Sequence, residues 1–157
     1  MPIIVQKYGG TSIGSIEKIS AVADKIISEK EKGNDIIVVV SAMSGETNRL
    51  IELAKSIDKD VNGREYDVLI STGEQVTTSL LAMTLIKKGH KAISLTGQQA
   101  GIMTDSIFNK ARIESIDKSE IKKHLDSGYI VIVAGFQGVT ENGDITSLGR
   151  GGSDTSA

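Results

Sequence analysis

Four short apolar segments recur along the chain, separated by longer amphipathic stretches. They are IIVQKY (3–8), DIIVVVS (35–41), KAISLT (91–96) and YIVIVAGF (129–136). Each is rich in β-branched residues, and each is almost continuously apolar instead of alternating with polar positions. This pattern is typical of strands buried on both faces, so it predicts four strands of a parallel sheet.

The stretch between the first two segments has apolar residues at helical spacing. Within residues 15–32 these residues are Ile16, Ile19, Val22, Ala23, Ile26 and Ile27. They form a single stripe at the period of an α-helix. Gly33 follows as an expected C-terminal cap, so the pattern predicts a helix that ends just before it.

The same period predicts three more helices. Two of them span 46–57 and 75–88, and a shorter one starts near Asp117 and ends at Gly128. Glu120 stands three residues after Asp117, which is the spacing of a capping box.

Three other segments complete the pattern. YDVLIS (66–71) fits either a strand or a turn of helix, while the small β pieces in 101–116 predict a hairpin. The Asn-Gly turn in TENGDIT (140–146) predicts a second hairpin. This order of elements predicts an open, mainly parallel α/β sheet with helices on both faces, as one domain or part of a larger one.

The composition excludes several classes of function. The 157 residues include 18 basic and 20 acidic ones, mixed along the chain, and the net charge of −2 argues against a nucleic-acid-binding face. The chain has no cysteine, which excludes disulfides and thiolate metal sites. It shows neither a signal-peptide pattern nor an apolar run of membrane-spanning length, so we expect a cytoplasmic protein without membrane partners.

Small, polar and glycine-rich stretches follow all four predicted strands. They are KYGGTSIGS (7–15), SAMSGETN (41–48), TGQQAG (96–101) and GFQG (135–138). The carboxyl ends of parallel strands share one edge of a sheet, and ligands bind in the crevice along that edge. Four such loops together predict a binding site there.

The first loop has the features of a phosphate site. Gly9 and Gly10 let the backbone approach a ligand, the following helix offers N–H groups, and Lys7 adds a full positive charge. Alternatively, the glycines make only a tight turn, Ser12 or Ser15 caps the helix, and Lys7 is solvated. The lysine and the matching loops favour the phosphate site.

The second loop repeats this design. Ser41 and Thr47 offer hydroxyl groups, and Gly45 again permits close approach of a ligand. Helix capping is the alternative role for Ser44 and Thr47, and both roles can hold for different residues of the loop.

A glutamate stands at the start of the third predicted helix. In STGEQVT (71–77), Glu74 follows a glycine, and the helix dipole favours an acidic residue in a first turn. Spacing alone favours this electrostatic role. The alternative is a buried carboxylate that binds a ligand ammonium group.

The last stretch, TSLGRGGSDTSA (146–157), combines an arginine with glycines and an aspartate. The planar fork of Arg150 suits bidentate contact with a carboxylate or phosphate. Ser153 or Asp154 can cap a following helix, or Asp154 can pair with a lysine. From the residues alone we predict a crevice that binds an anion, best a nucleotide phosphate, and a small polar ligand.

At these motifs the chain resembles the aspartokinases (aspartate kinases) of the amino-acid kinase family. The matching motifs, in the family's order, are KYGGTS, VVVSAMSGETN, LISTGEQVT, VIVAGFQGV and TSLGRGGSDTSA. The resemblance covers essentially the whole chain and implies a carbamate kinase-like α/β fold. It also implies transfer of the γ-phosphoryl group of ATP to the side-chain carboxylate of L-aspartate. The product is 4-phospho-L-aspartate, the first intermediate towards lysine, threonine and methionine.

The resemblance further implies roles for particular residues. The ATP phosphates would be held by Lys7, Tyr8, Gly9, Gly10 and Thr11. The substrate shell would comprise Ser41, Thr47, Glu74, Arg150, Gly151, Gly152 and Ser153. Lys7 would stabilise charge on the transferring phosphoryl group, and Asp154 would orient Lys7. Glu74 would receive the α-ammonium group of aspartate, and Arg150 its α-carboxylate.

The resemblance implies a cofactor and an assembly as well. Mg²⁺ would be bound mainly through the nucleotide phosphates instead of a protein metal site, and the protein would be a homo-oligomer.

The chain departs from the family pattern after its last motif. Aspartokinases continue into a region that holds adenine and ribose, and usually into regulatory ACT domains. We therefore expect residues 1–157 to be the N-terminal part of a catalytic domain, nearly inactive alone. Two alternatives stay open: a related kinase for another carboxylate such as glutamate, and a non-catalytic anion-binding or assembly module.

Overall fold

The four apolar segments form one parallel sheet, as predicted. The structure is a computed structural model, and it describes residues 2–149. In chain order its elements are β1 (Ile3–Tyr8), a 3₁₀ turn (Gly10–Ile13), α1 (Ile16–Glu31), β2 (Asp35–Val40), α2 (Glu46–Ile57), α3 (Arg64–Ile70), α4 (Thr72–Lys87), β3 (Ala92–Leu95), β4 (Ile102–Thr104), β5 (Ile113–Ile116), α5 (Ser119–Asp126), β6 (Ile130–Ala134), β7 (Gln137–Val139) and β8 (Ile145–Ser147).

The parallel sheet has the strand order β1-β2-β6-β3, and its strands end at nearly the same level. Tyr8 at the end of β1 is paired with Val40 at the end of β2, and Val40 is paired with Ala134 at the end of β6. Leu95 at the end of β3 is paired with Val133. The loops that follow these four strands therefore leave the sheet along one edge.

Both faces of the two central strands are buried, which explains their continuous apolar sequence. On β2, Ile36 and Val38 are fully buried in one cluster with residues of α1 and α4. Val39 points to the other face, where it packs in a second cluster with Leu125 of α5 and Ile102 of β4. Side chains of a strand alternate between faces, so a strand covered on both faces needs apolar residues at every position.

The helix predicted over 15–32 forms as α1. Its buried residues are Ile19, Val22, Ala23 and Ile26, members of the predicted stripe. Ser15 caps the helix, because its Oγ accepts a hydrogen bond from the backbone N–H of Lys18 at 3.2 Å. Gly33 follows the helix with φ +90°, the left-handed conformation that glycine adopts without strain.

Both predicted hairpins form a second, mixed sheet with the order β5-β4-β7-β8. In it β4 pairs antiparallel with β5, and β7 pairs antiparallel with β8. The hairpins are joined by the parallel pairing of β4 with β7. This sheet and α5 cover the face of the parallel sheet that is opposite to α1 and α4.

Two local predictions are resolved by the structure. The ambiguous segment 66–71 is helical and forms most of α3. The capping box predicted at α5 is wrong. The cap position is Lys118, without a side-chain hydrogen bond, and the helix begins at Ser119. Asp117 accepts a hydrogen bond from the N–H of Ser119 at 3.0 Å, and its own N–H donates to the carbonyl of Gly101. Glu120 lies 3.5 Å from His124.

One part of the parallel sheet is poorly covered by the described residues. The side chains of Ile3 and Val5 on β1 are 58% and 45% exposed. They line an apolar groove of about 450 Å³ between the sheet and α5. Among residues 2–149, β1 pairs on one side only, so its outer edge is unpaired within this range.

We expect core truncation in α4 to destabilise the protein strongly. Leu81 is fully buried, so Leu81→Ala should lower the free energy of unfolding by about 2–5 kcal/mol through lost burial and a cavity. Met83→Ala on the same helix is the control, since Met83 is 63% exposed. Urea denaturation measures both. Equal losses of stability would contradict the packing described for α4.

Candidate functional site

The loops after β1 and β2 contact each other directly. The carbonyl of Gly10 accepts a hydrogen bond from the N–H of Ser44 at 3.1 Å. A Cβ atom on Gly10 would lie 2.8 Å from the carbonyl oxygen of Ala42, closer than side-chain carbons approach backbone oxygens. Gly73, at the start of α4, packs on the other side of Ala42, where an added Cβ would meet the Ala42 Cβ at 3.0 Å. Glycine at these two positions brings three segments together.

Gln137 ties the remaining segments to this assembly. Its side chain is 2% exposed; Nε2 donates to the carbonyl of Ser71 at 2.9 Å, and Oε1 accepts from the N–H of Gly97 at 3.1 Å. It thus joins the α3–α4 junction to the loop after β3. Gln137 was not among the predicted site residues, although a lone amide in the apolar run YIVIVAGFQGV was the available signal.

The phosphate-site candidates lie at the end of β1 and in the following turn. Lys7 is exposed and is paired in register with Val39. Open space surrounds Gly9, because an added Cβ would have no atom within 4 Å. Thr11 is exposed, and its carbonyl accepts a hydrogen bond from Lys18 Nζ at 3.0 Å. Tyr8 donates from its hydroxyl to Gln6 at 3.0 Å, and burial, followed by the charge of Glu29, raises the pKa of its phenol.

The capping alternatives for the first two loops have different outcomes. Ser15 caps α1, as described above, which leaves Ser12 as an exposed residue of the 3₁₀ turn. At α2 the cap position is Gly45, with φ +84° and no side-chain hydrogen bond. The capping roles of Ser44 and Thr47 are therefore wrong, because the left-handed glycine turns the chain into the helix. Ser41 and Thr47 are both half-buried at this end of the sheet.

Glu74 is the most unusual side chain of this region. It lies in the first turn of α4, is only 3% exposed, and its Oε2 is the one buried side-chain atom within residues 2–149 that lacks a hydrogen-bond partner. Burial raises the pKa of its carboxyl group from 4.5 to about 8. The helix dipole alone does not account for the burial of Glu74, since an exposed carboxylate in the first turn interacts with the dipole as well. A buried, unpartnered carboxyl fits a site for a cationic group.

The segment after β8 starts beside these loops. The N–H of Leu148 donates to the carbonyl of Phe136, in the loop after β6, at 2.9 Å. Phe136 adopts φ +67°, a left-handed conformation that is rare for a bulky residue and typical of constrained sites. Five of the predicted site residues lie outside the described residues: Arg150, Gly151, Gly152, Ser153 and Asp154.

Two searches of the described residues gave negative findings. Between residues 2 and 149, no three or more His, Asp or Glu side chains are grouped so as to hold a metal ion. None of the helices in that range combines the length and apolar character needed to cross a membrane.

The fold and these loops define a class of α/β protein with a crevice for ligands along the carboxyl edge of a parallel sheet. The model of the amino acid kinase family matches residues 2–157, and the chain belongs to this family.

Within the family, similarity is high to aspartokinases. The chain is 61% identical to an aspartokinase of Geobacillus stearothermophilus over 157 residues, which is all of this chain and 39% of that relative. It matches the crystal structure of aspartate kinase from Synechocystis with a TM-score of 0.82 and 46% identity, over 100% of this chain and 26% of the other. The chain therefore spans about two fifths or less of these two relatives.

A third similarity supports the fold alone. Aspartokinase III of E. coli, solved in complex with aspartate and ADP, matches with a TM-score of 0.84 at 23% identity. The match covers 98% of this chain and 45% of that one.

The two neighbouring glycines of the first loop are expected to respond differently to substitution. Gly10→Ala should destabilise the protein by about 1–3 kcal/mol, since its Cβ would overlap the Ala42 carbonyl. Gly9→Ala places the same methyl group in open space and serves as the control, with an unchanged midpoint of urea denaturation. If both variants unfold at the same midpoint, the close contact of the two loops is wrong.

Glu74 should make stability depend on pH. Its pKa is raised on folding, so the folded state binds more protons than the unfolded chain between pH 4.5 and about 8. Stability should thus fall as pH rises through this window, by about 4–5 kcal/mol at 1.36 kcal/mol per pKa unit. In Glu74→Gln this loss should be absent, so its melting temperature should exceed that of the wild type at about pH 8.5 and match it near pH 5.

The control for this prediction is Glu120→Gln, because the Glu120 side chain is 54% exposed. Calorimetry across the pH range should show the wild-type slope in this variant. A wild-type slope in Glu74→Gln as well would mean that Glu74 ionises normally in the folded protein.

Proposed function

We propose that this chain contributes the aspartate- and phosphate-binding part of an aspartate kinase, an ATP:L-aspartate 4-phosphotransferase. The observation that carries the proposal is the buried carboxyl of Glu74 beside the glycine-rich strand-end loops, whose Oε2 has no hydrogen-bond partner among the described residues. Membership of the amino acid kinase family and 61% identity to an aspartokinase support it.

On the acceptor side, Glu74 receives the α-ammonium group of the amino acid. The neighbouring positive charge favours the ionised form of Glu74, so substrate binding offsets the cost of its burial. Arg150 binds the α-carboxylate through its planar guanidinium fork. The rest of the substrate shell consists of Ser41, Thr47, Gly151, Gly152 and Ser153.

On the phosphate side, the end of β1 and the following turn hold the nucleotide. The open space at Gly9 lets a phosphate approach the backbone, while Gly10 keeps the turn packed on the second loop. Tyr8 and Thr11 complete this side of the site. The resemblance to the aspartokinases implies that Mg²⁺ would be held mainly through the nucleotide phosphates.

Bound ATP supplies the γ-phosphoryl group, which passes to a side-chain carboxylate oxygen of L-aspartate and leaves ADP and 4-phospho-L-aspartate. The nucleophile is already ionised at neutral pH and needs no general base. Lys7 stabilises the negative charge of the transferring group, and Asp154 orients Lys7. Positioning and charge stabilisation thus account for catalysis, as is usual for phosphoryl transfer.

The proposal extends to the context of the chain. The matched relatives are more than twice as long, so nucleotide binding is completed by regions beyond those matched here, and the 157 residues alone are nearly inactive. A homo-oligomer in the cytoplasm is the assembly and location that fit this role.

Substitutions in the full-length protein test the assignment. Glu74→Gln should raise KM for aspartate about 10–100-fold, because a charge-assisted contact to the ammonium group is lost, while KM for ATP changes little. Lys7→Met and Asp154→Ala should instead lower kcat by about 100-fold or more. Hydroxylamine trapping of the acyl phosphate measures the rates, and Glu120→Gln is the control.

The same assay separates the alternatives. Preference for glutamate over aspartate would identify a related kinase with another carboxylate acceptor. Full activity of Lys7→Met and Asp154→Ala would contradict their roles. Absence of any acyl phosphate from the full-length wild type would favour the non-catalytic anion-binding module.

A further inference from the structure

Asp67 on α3 has an unusually complete set of hydrogen bonds for a fully buried carboxylate. Its Oδ2 accepts from two backbone N–H groups, those of Asn109 at 3.0 Å and Ser147 at 2.9 Å. Its Oδ1 accepts from two side chains, Asn109 Nδ2 and Ser147 Oγ, both at 2.6 Å. Asp67 itself is 0% exposed. It therefore joins three segments that are distant in sequence.

This network is costly if holding the fold together is its only purpose. Burying a carboxylate costs several kcal/mol before its hydrogen bonds compensate. Apolar residues of similar volume often stabilise a folded protein as much as a buried charged network does. Asn109 is moreover held at φ +72°, in the left-handed region. The polar network does, however, fix the positions of the residues that it joins.

Ser147, at the end of β8, is the partner whose position the network fixes most completely. Asp67 binds both its N–H and its hydroxyl group, and its carbonyl accepts a hydrogen bond from the N–H of Ala111 at 3.0 Å. All polar groups of Ser147 are thus engaged. The next residue, Leu148, is held by Phe136.

Asp67 also links the end of β8 to the part of the fold that carries Glu74, the residue that we propose to receive the ammonium group of the amino acid. The helix of Asp67, α3, leads directly into α4, which carries Glu74 in its first turn. The stretch that follows β8 in the sequence contains Arg150, the residue proposed to bind the α-carboxylate. A shift of Asp67 relative to Ser147 therefore changes the spacing between the end of β8 and Glu74.

We infer that Asp67 is a positioning residue that sets the separation between the end of β8 and Glu74, and thereby the fit of the acceptor amino acid. The inference rests on the proposed function for what this separation serves. It predicts that loosening the network weakens binding of the acceptor more than binding of the nucleotide.

Kinetics of the full-length protein test the inference. In Asp67→Asn the new NH₂ group cannot accept the two side-chain hydrogen bonds, while the remaining oxygen keeps those of the backbone. We expect KM for aspartate to rise about tenfold and the preference for aspartate over glutamate to fall, with kcat and KM for ATP within about threefold of wild type. Asn109→Gly, which permits the left-handed backbone but removes the side-chain contact, should act in the same direction.

The control is Asp144→Asn. Asp144 lies in the turn of the same hairpin and binds Arg64 of the same helix at 2.7 Å, but Arg64 is half exposed. Losing this surface ion pair should leave all kinetic constants unchanged. If Asp67→Asn resembles the control, or lowers kcat and raises both KM values in equal proportion, the inference is overturned.

Hydrogen exchange separates this inference from the proposed function. In Asp67→Asn, amides of 145–149 should exchange about tenfold faster than in wild type, while amides of β6 keep their protection. A uniform change across the chain, or none, overturns the positioning role. Hydrogen exchange tests the positioning role even if the full-length wild type forms no acyl phosphate. Absence of acyl phosphate would refute the proposed function and, with it, the role of this separation in acceptor binding.

Discussion

The site depends on one constraint, which is that the four parallel strands end at nearly the same level of the sheet. Hydrogen bonding in register places Tyr8, Val40 and Ala134 side by side, and the N–H groups of Ser41 and Gly135 continue this bonding into the loops. Loops that leave a sheet together must pack against one another or diverge. Here they pack, and the contact is close enough to require glycine. The crevice is therefore a direct consequence of strand register.

Two buried acidic residues on neighbouring helices show opposite solutions to the cost of burial. Asp67 accepts four hydrogen bonds, so its charge is compensated within the fold. Glu74 has an oxygen without a partner in the described part of the chain, and burial raises its pKa to about 8. The first arrangement gives a fixed geometry, whereas the second leaves an interaction for a ligand. Asp67 and Glu74 belong to the consecutive helices α3 and α4, so this pair of helices organises the proposed acceptor side.

The sequence predicted elements best where the local pattern has a single explanation. The apolar strands and the long amphipathic helix α1 formed as expected, since burial on two faces or on one stripe leaves a clear period. Residues 66–71 were ambiguous because a short apolar run fits both a strand and a buried helix. The capping roles at α2 and α5 were wrong, because Gly45 and Lys118 occupy the cap positions without side-chain hydrogen bonds, and the N–H of Asp117 binds the carbonyl of Gly101. Contacts such as the last come from residues that local spacing does not include.

The sequence by itself determined the α/β architecture, the position of glycine-rich loops at strand ends, and the family, because these depend on local periodicity and on motifs that are continuous in the chain. The tertiary structure alone decided which polar residues are buried and with what partners. Gln137 and Asp67 look like ordinary polar residues in the sequence, and for Glu74 the spacing alone favoured an exposed helix-dipole role. Their importance comes from segments up to 80 residues away, since desolvation and hydrogen bonding depend on the surroundings that folding creates.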